Sequence, residues 1–256
     1  MRIADGVYAI GQREGFQARA SGYVNAYLLE DGNDLMLIDT LYDTDARLIK
    51  DQLVRMNRSF ADLKCILLTH AHRSHLGGLK FLKEMSGAKV YAHKWEADIV
   101  AGKRVAQPVT LRPVPPAVLY TQRLGLALGL GKHPPCPVDQ ALEDGDKQVG
   151  PLKVIHTPGH TPGHLAFYWE DRGVLFTGDA IATWPEFGAG WPSFNLNEEQ
   201  HRESVRNQFA CIDAEVVAVS HGEPIVRGAK ERLVNLIESL ESDSLPRGGA
   251  LNVKNQ

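Results

Sequence analysis

The sequence predicts a mixed α/β fold built as two half-units. Strand-like runs precede any helical pattern at the N-terminus, and the strand-then-helix order returns after residue 150. That order is compatible with two β-sheets packed face to face with helices outside. In the first half, strands are expected at 6–11, 22–30 and 34–39, where Glu30-Asp31-Gly32-Asn33-Asp34 supplies the turn residues of a hairpin. Residues 43–57 place Ile49, Leu53 and Met56 at helical spacing, and a strand at 63–68, a helix at 76–86 and a short strand at 88–92 follow. In the second half, strands at 151–155, 164–169 and 173–177 precede a polar helix at 197–210, a strand at 215–219 and a helix at 228–241. Residues 102–140 break the pattern, with seven prolines among apolar residues such as Leu119, Tyr120, Leu124 and Leu128. A connection of that length is uncommon without a role, so the insert is expected to cover a cleft as a lid or to meet a second subunit in a homodimer.

Length and composition exclude several classes. With 256 residues and 43% hydrophobic content the chain can bury a full core, and no Ser-, Gly- or charge-rich linker divides it, so a single domain over 1–256 is expected. The net charge of −3 and the absence of a long basic run argue against a nucleic-acid partner and leave a small-molecule substrate. Cys65, Cys136 and Cys211 are odd in number, without a C-x-x-C pair, and read as reduced thiols. Met1 to Gly6 lacks the apolar region of a secretory signal, and the stretch Leu124–Leu130 is far shorter than the roughly 20 residues of a membrane span. A cytoplasmic protein with no membrane association is the expectation.

The chemistry concentrates at strand ends. His70-Ala71-His72-Arg73-Ser74-His75 follows the apolar run Cys65-Ile66-Leu67-Leu68, and imidazoles at i, i+2 and i+5 past a buried strand suggest two adjacent metal positions. Pro158-Gly159-His160 and Pro162-Gly163-His164 repeat one unit in a loop, Asp179 ends the strand Phe176-Thr177-Gly178, and His221 ends Val219-Ser220. A purely structural histidine cluster would not be expected to recur through four segments, most of them at strand ends.

These segments, in this order and together with Asn25-Ala26-Tyr27-Leu28-Leu29 and Leu37-Ile38-Asp39-Thr40, resemble the metallo-β-lactamase-fold hydrolases over nearly the whole chain. The resemblance implies a four-layer αββα sandwich of two mixed sheets flanked by helices. It also implies that His70, His72 and His160 bind a first metal, that His75 and His221 bind a second, and that Asp179 bridges them. Ser74 stands where the family motif has an aspartate, so the second position lacks its unshared carboxylate. Zinc, one or two ions, is the expected cofactor, with Fe2+ or Mn2+ as alternatives.

A metal held by neutral imidazoles and a carboxylate supplies hydroxide near neutral pH and polarises a carbonyl, which points to cleavage of a small ester, lactone or thioester. Asp179 and Ser74 are therefore the catalytic candidates. Asp39 resembles the family's supporting aspartate behind a ligand histidine, although a turn or cap role would also suit it. His156 and His164 flank His160 at i−4 and i+4 as supporting or substrate contacts, whereas His93, His133 and His201 carry no motif and read as surface or structural residues. Arg73 lies between ligands and faces either an anionic substrate or solvent. Trp184, Phe187, Trp191 and Phe194, directly after Asp179, are expected to wall the substrate pocket, or else to fill core beneath the loop.

Glyoxalase II-like thioesterases share the ligand segments, but their glycine- and cysteine-containing stretch after the bridging aspartate has no counterpart in Ala180–Trp184. Quorum-quenching lactonases carry a tyrosine where this chain has Ala182. An iron-dependent persulfide dioxygenase and a non-catalytic metal-binding protein are the alternatives that Ser74 leaves open.

Overall fold

The computed structural model describes residues 1–13, 23–106, 132–143, 145, 148–190 and 195–244. Strand pairing produces two mixed sheets. The first has seven strands in chain order: β1 (Arg2–Ala4), β2 (Val7–Arg13), β3 (Tyr23–Asp31), β4 (Asp34–Ile38), β5 (Leu63–Leu67), β6 (Lys89–His93) and β7 (Gln140–Leu142). Its first four strands pair antiparallel, and β4 through β7 pair parallel. The second sheet has the order β14-β11-β10-β9-β8, built from β8 (Gln148–Val149), β9 (Leu152–His156), β10 (Leu165–Trp169), β11 (Val174–Gly178) and β14 (Val216–Val219). Here only the β11–β14 pair is parallel. A two-stranded ribbon, β12 (Ile181–Ala182) with β13 (Gly188–Ala189), follows Asp179.

Successive strand side chains point to opposite faces, and the buried residues divide accordingly. In β3, Tyr27 and Leu29 join Phe167 and Trp169 of β10 and Phe176 of β11 in a core between the two sheets. Val24, Ala26 and Leu28 point the other way, against Ile49 and Leu53 of α1 (Arg47–Arg55), Leu76 of α2 (Arg73–Leu76), Leu79 and Leu82 of α3 (Leu79–Ser86), and Ile99 of α4 (Lys94–Val100). On the far face of the second sheet, Ala166, Leu175 and Val217 meet Val205 and Phe209 of α5 (Glu198–Phe209) and Leu233, Leu236, Ile237 and Leu240 of α6 (Ala229–Ser244). The result is helix, sheet, sheet, helix, the four-layer sandwich expected from the sequence.

The elements that the periodicity predicts are present with ends shifted by a few residues. The helix expected over 76–86 is instead two pieces, α2 and α3, on either side of Gly77-Gly78. Unforeseen elements are short: β1, β7, β8, the ribbon and α4. In α4 the buried residues are Glu96, Ile99 and Val100, a stripe too brief to register as a period, and the His93 ring caps it by accepting Trp95 N–H at 3.2 Å. Of the Pro-rich insert, 107–131 lies outside the described residues. Beyond it Cys136 is buried in the helix-facing core of the first sheet, its N–H bonded to Val100 O at 3.0 Å. Among the described residues no helix is long and apolar enough to cross a membrane.

Candidate metal centre

Parallel pairing of β4 and β5 brings the residues that follow both strands out at one edge of the first sheet, with Asp39 beside Thr69 and His70. The residues after β9, β11 and β14 leave the second sheet at one common edge, because β11 and β14 are parallel and β9 is two antiparallel steps from β11. Direct backbone bonds join the two edges, Leu165 N–H to Thr69 O at 2.8 Å and Asn25 N–H to Ser220 O at 2.9 Å.

Two groups of donors meet there. His70, His72, His160 and Asp179 form one, and His75, Asp179 and His221 form the other, with the ligand atoms of each group within 4.8 Å of one another. His160 Nε2 lies 3.2 Å from His70 Nε2 and 3.0 Å from His72 Nδ1, and His70 Nε2 lies 2.9 Å from His72 Nδ1. Asp179 Oδ2 is 3.2 Å from His160 Nε2 and 3.3 Å from His221 Nε2, while Oδ1 is 3.5 Å from His75 Nε2.

Hydrogen bonds behind these candidate donors fix which ring nitrogens face inward. Thr69 donates its hydroxyl to Asp39 Oδ2 at 2.8 Å, so its oxygen accepts from His70 Nδ1 at 3.0 Å and leaves Nε2 as a lone pair. His75 Nδ1 donates to the same Asp39 oxygen at 2.8 Å. Asn195, whose amide donates to Glu198 at 2.9 Å, accepts from His160 Nδ1 at 3.1 Å. Asp39 itself adopts a left-handed backbone, φ 59°, unusual for a non-glycine and held by its bonds to Thr69 and Leu67.

Burial pushes His70, His72 and His160 below the usual imidazole range, so these rings are neutral at physiological pH. For Asp179 burial opposes ionisation, but His221, His70, His75 and His160 around it outweigh that and hold the carboxyl well below its usual range. For His75 burial opposes the charge, and the carboxylates of Asp39 and Asp179 outweigh it and raise the ring's pKa. Three neutral lone pairs converging on one carboxylate fit a divalent cation. The buried His75 Nε2 and Asp179 Oδ1, which have no hydrogen-bond partner among the described residues, fit a second.

The other residues singled out by sequence are distributed as follows. Ser74 is partly exposed on α2, next to His75. His164 accepts the Asp179 backbone N–H at 3.0 Å and turns its other nitrogen to Thr157 at 2.7 Å, so it holds the backbone from which the shared carboxylate projects. His156 bonds Pro162 O at 2.9 Å and stacks on His93 at 4.8 Å. Arg73 donates to Tyr42 O at 2.6 Å and lies over the Tyr42 ring. Trp184 is half-buried; Phe187 packs on the helix-facing core of the second sheet with the Arg232 guanidinium 4.4 Å above its ring; Trp191 and Phe194 lie outside the described residues.

Sequence reasoning missed Asn195, Thr69 and above all Glu96, a buried carboxylate on α4. Burial pushes its carboxyl up to about 7, against hydrogen bonds from Thr161, Ala71 and Gly163 that favour the ionised form. His201, expected as a surface or structural residue, is fully buried on α5, and neither ring nitrogen makes a well-formed hydrogen bond among the described residues.

Comparison with known proteins agrees with this geometry. A model of the metallo-β-lactamase superfamily matches residues 20–221. The probable metallo-hydrolase YybB of Bacillus subtilis is 29% identical over 207 residues, 79% of this chain and 82% of its own length. The hydroxyacylglutathione hydrolase GloC of Haemophilus influenzae is 26% identical over 173 residues, 67% of this chain and 74% of its own. Among solved structures, a metallo-β-lactamase family protein of Thermus thermophilus superposes with a TM-score of 0.63 at 28% identity, covering 94% of this chain and 81% of that one.

Proposed function

Because the chain belongs to the metallo-β-lactamase superfamily of metal-dependent hydrolases, we propose that it uses zinc held at two adjacent positions to cleave a small carboxylic ester, lactone or thioester. The observation that carries this reading is the sharing of Asp179 between two adjacent donor groups, buried except for the partly exposed His72. When bound, a pair of divalent ions lowers the pKa of water toward 7 and polarises a carbonyl oxygen. His70, His72 and His160 would hold the first ion and His75 and His221 the second. Asp179, its backbone N–H held by His164, would span both. The relative named for hydroxyacylglutathione hydrolysis supports including thioesters.

Charge sets the two positions apart. The first group offers three neutral imidazoles and Asp179; the second has two imidazoles and a share of the same carboxylate. Ser74, a neutral hydroxyl, adds no charge, so the second ion is expected to bind more weakly. The test is metal per chain after dialysis against a weak chelator, together with hydrolysis of an activated ester, for the natural chain and for Ser74→Asp. The expected result is turnover by the natural chain, with partial loss of the second ion that the added carboxylate prevents. Absence of turnover in fully zinc-loaded chain would overturn the hydrolase reading, and equal retention by both chains would remove Ser74 from the site.

A further inference from the structure

Glu96 belongs to neither donor group, yet its carboxylate joins the two loops that supply the first. Oε2 accepts the N–H of Ala71, the residue between His70 and His72, at 3.1 Å. Oε1 accepts the hydroxyl of Thr161, the residue after His160, at 2.5 Å, and the N–H of Gly163 at 3.2 Å. The side chain is 1% exposed, so these donors satisfy it in place of water. The fit is close enough that a Cβ on Gly163 would stand 2.9 Å from Glu96 Cγ and 2.6 Å from His93 Nδ1. The loop carrying His160 is therefore seated directly on α4. Asp39, by contrast, backs one donor of each group, His75 directly and His70 through the Thr69 hydroxyl.

We propose that Glu96 is a positioning residue for the first metal position: it fixes the separation of the His70–His72 loop of the first sheet from the His160 loop of the second, and so sets how tightly those three imidazoles hold an ion. The inference rests on the metal-centre reading above. All three donors require an acceptor on both carboxyl oxygens. A glutamine at 96 has the same size but presents an NH2 group to one loop or the other, and that loop is released. An aspartate keeps the charge but is one methylene too short to reach both loops.

The experiment challenges zinc-loaded protein with graded chelator and counts the metal that remains on the natural chain, Glu96→Gln, Glu96→Asp and Asp39→Asn. Both Glu96 variants are expected to lose the tightly held ion at roughly 10-fold lower chelator activity or less, the range typical of removing a group that orients a ligand. Asp39→Asn, which disturbs His75 directly and His70 through Thr69, should weaken both ions and so provides the contrasting pattern. Should Glu96→Gln not fold, Glu96→Asp carries the same expectation. Retention of the tight ion as in the natural chain, or equal weakening of both ions by the Glu96 variants, would overturn the inference and leave Glu96 as a core contact only. Failure of the natural chain to bind zinc at all would instead overturn the reading beneath it.

Discussion

At the scale of single residues, the buried imidazoles divide by what stands behind them. His70, His75 and His160 each give one ring N–H to an oxygen and turn the other nitrogen to the centre, whereas neither nitrogen of His201 makes a well-formed bond among the described residues. Burial, reinforced by repulsion from His160, lowers its pKa from 6.5 to about 3. The folded chain therefore refuses a proton that the unfolded chain accepts below about pH 6.5. The unfolded state binds more protons across that window, so stability rises with pH between about 3 and 6.5 and is lost as the pH falls through it. From pH 6.5 to 4.5 the loss from this one ring is about 2 kcal/mol. His201→Leu has no proton to take up and should flatten the acid limb of the denaturant-unfolding profile by that amount relative to the natural chain, both measured with saturating zinc. An unchanged slope would assign the proton uptake to another group.

At the scale of elements, the two Pro-Gly-His units are explained by the helices they rest on. Gly159 has φ 131°, and a Cβ there would lie 2.3 Å from the backbone N and Cα of His201 in the first turn of α5. The same loop accepts Asn197 N–H on Gly159 O at 2.8 Å and Leu196 N–H on His160 O at 3.2 Å, so it is anchored to that helix start. Gly159→Ala would therefore combine backbone strain with a collision that neither side can relieve, costing about 2–5 kcal/mol and moving His160. Denaturant unfolding and zinc retention should both register it; wild-type stability in the variant would mean that loop and helix separate freely. The strands were legible because each is a short apolar run closed by polar residues, and the candidate metal donors stood out because they follow those runs. The resemblance, not periodicity, supplied the sandwich. Glu96 was not legible, since α4 has only a brief buried stripe and its partners Ala71, Thr161 and Gly163 lie 25 to 67 residues away. Asn195 likewise acquires meaning only when the chain brings it against His160, 35 positions earlier.

At the scale of the whole molecule, the centre is a seam. His70, His72 and His75 come from the first sheet, and His160, Asp179 and His221 from the second, and the sheets otherwise meet through the apolar core of Tyr27, Phe167 and Phe176. Asn25 and Tyr27 reinforce the seam from β3: the Asn25 amide donates to Val219 O and Gly222 O at 3.0 and 2.7 Å, and Tyr27 donates to Val219 O at 2.6 Å, on either side of His221. An ion bound across the seam can exist only while both sheets are docked, so its binding free energy adds to folding as RT ln(1 + [L]/Kd). At free zinc 100-fold above Kd that is about 2.7 kcal/mol for one site. For a chain of this size the midpoint should then fall by roughly 5–10 °C on full chelation. Calorimetry with and without chelator reads this directly, and the unfolding should remain one transition, because the apolar core still couples the sheets. A midpoint insensitive to chelator would mean that the ligands are poised by the protein alone and that the ion holds nothing together.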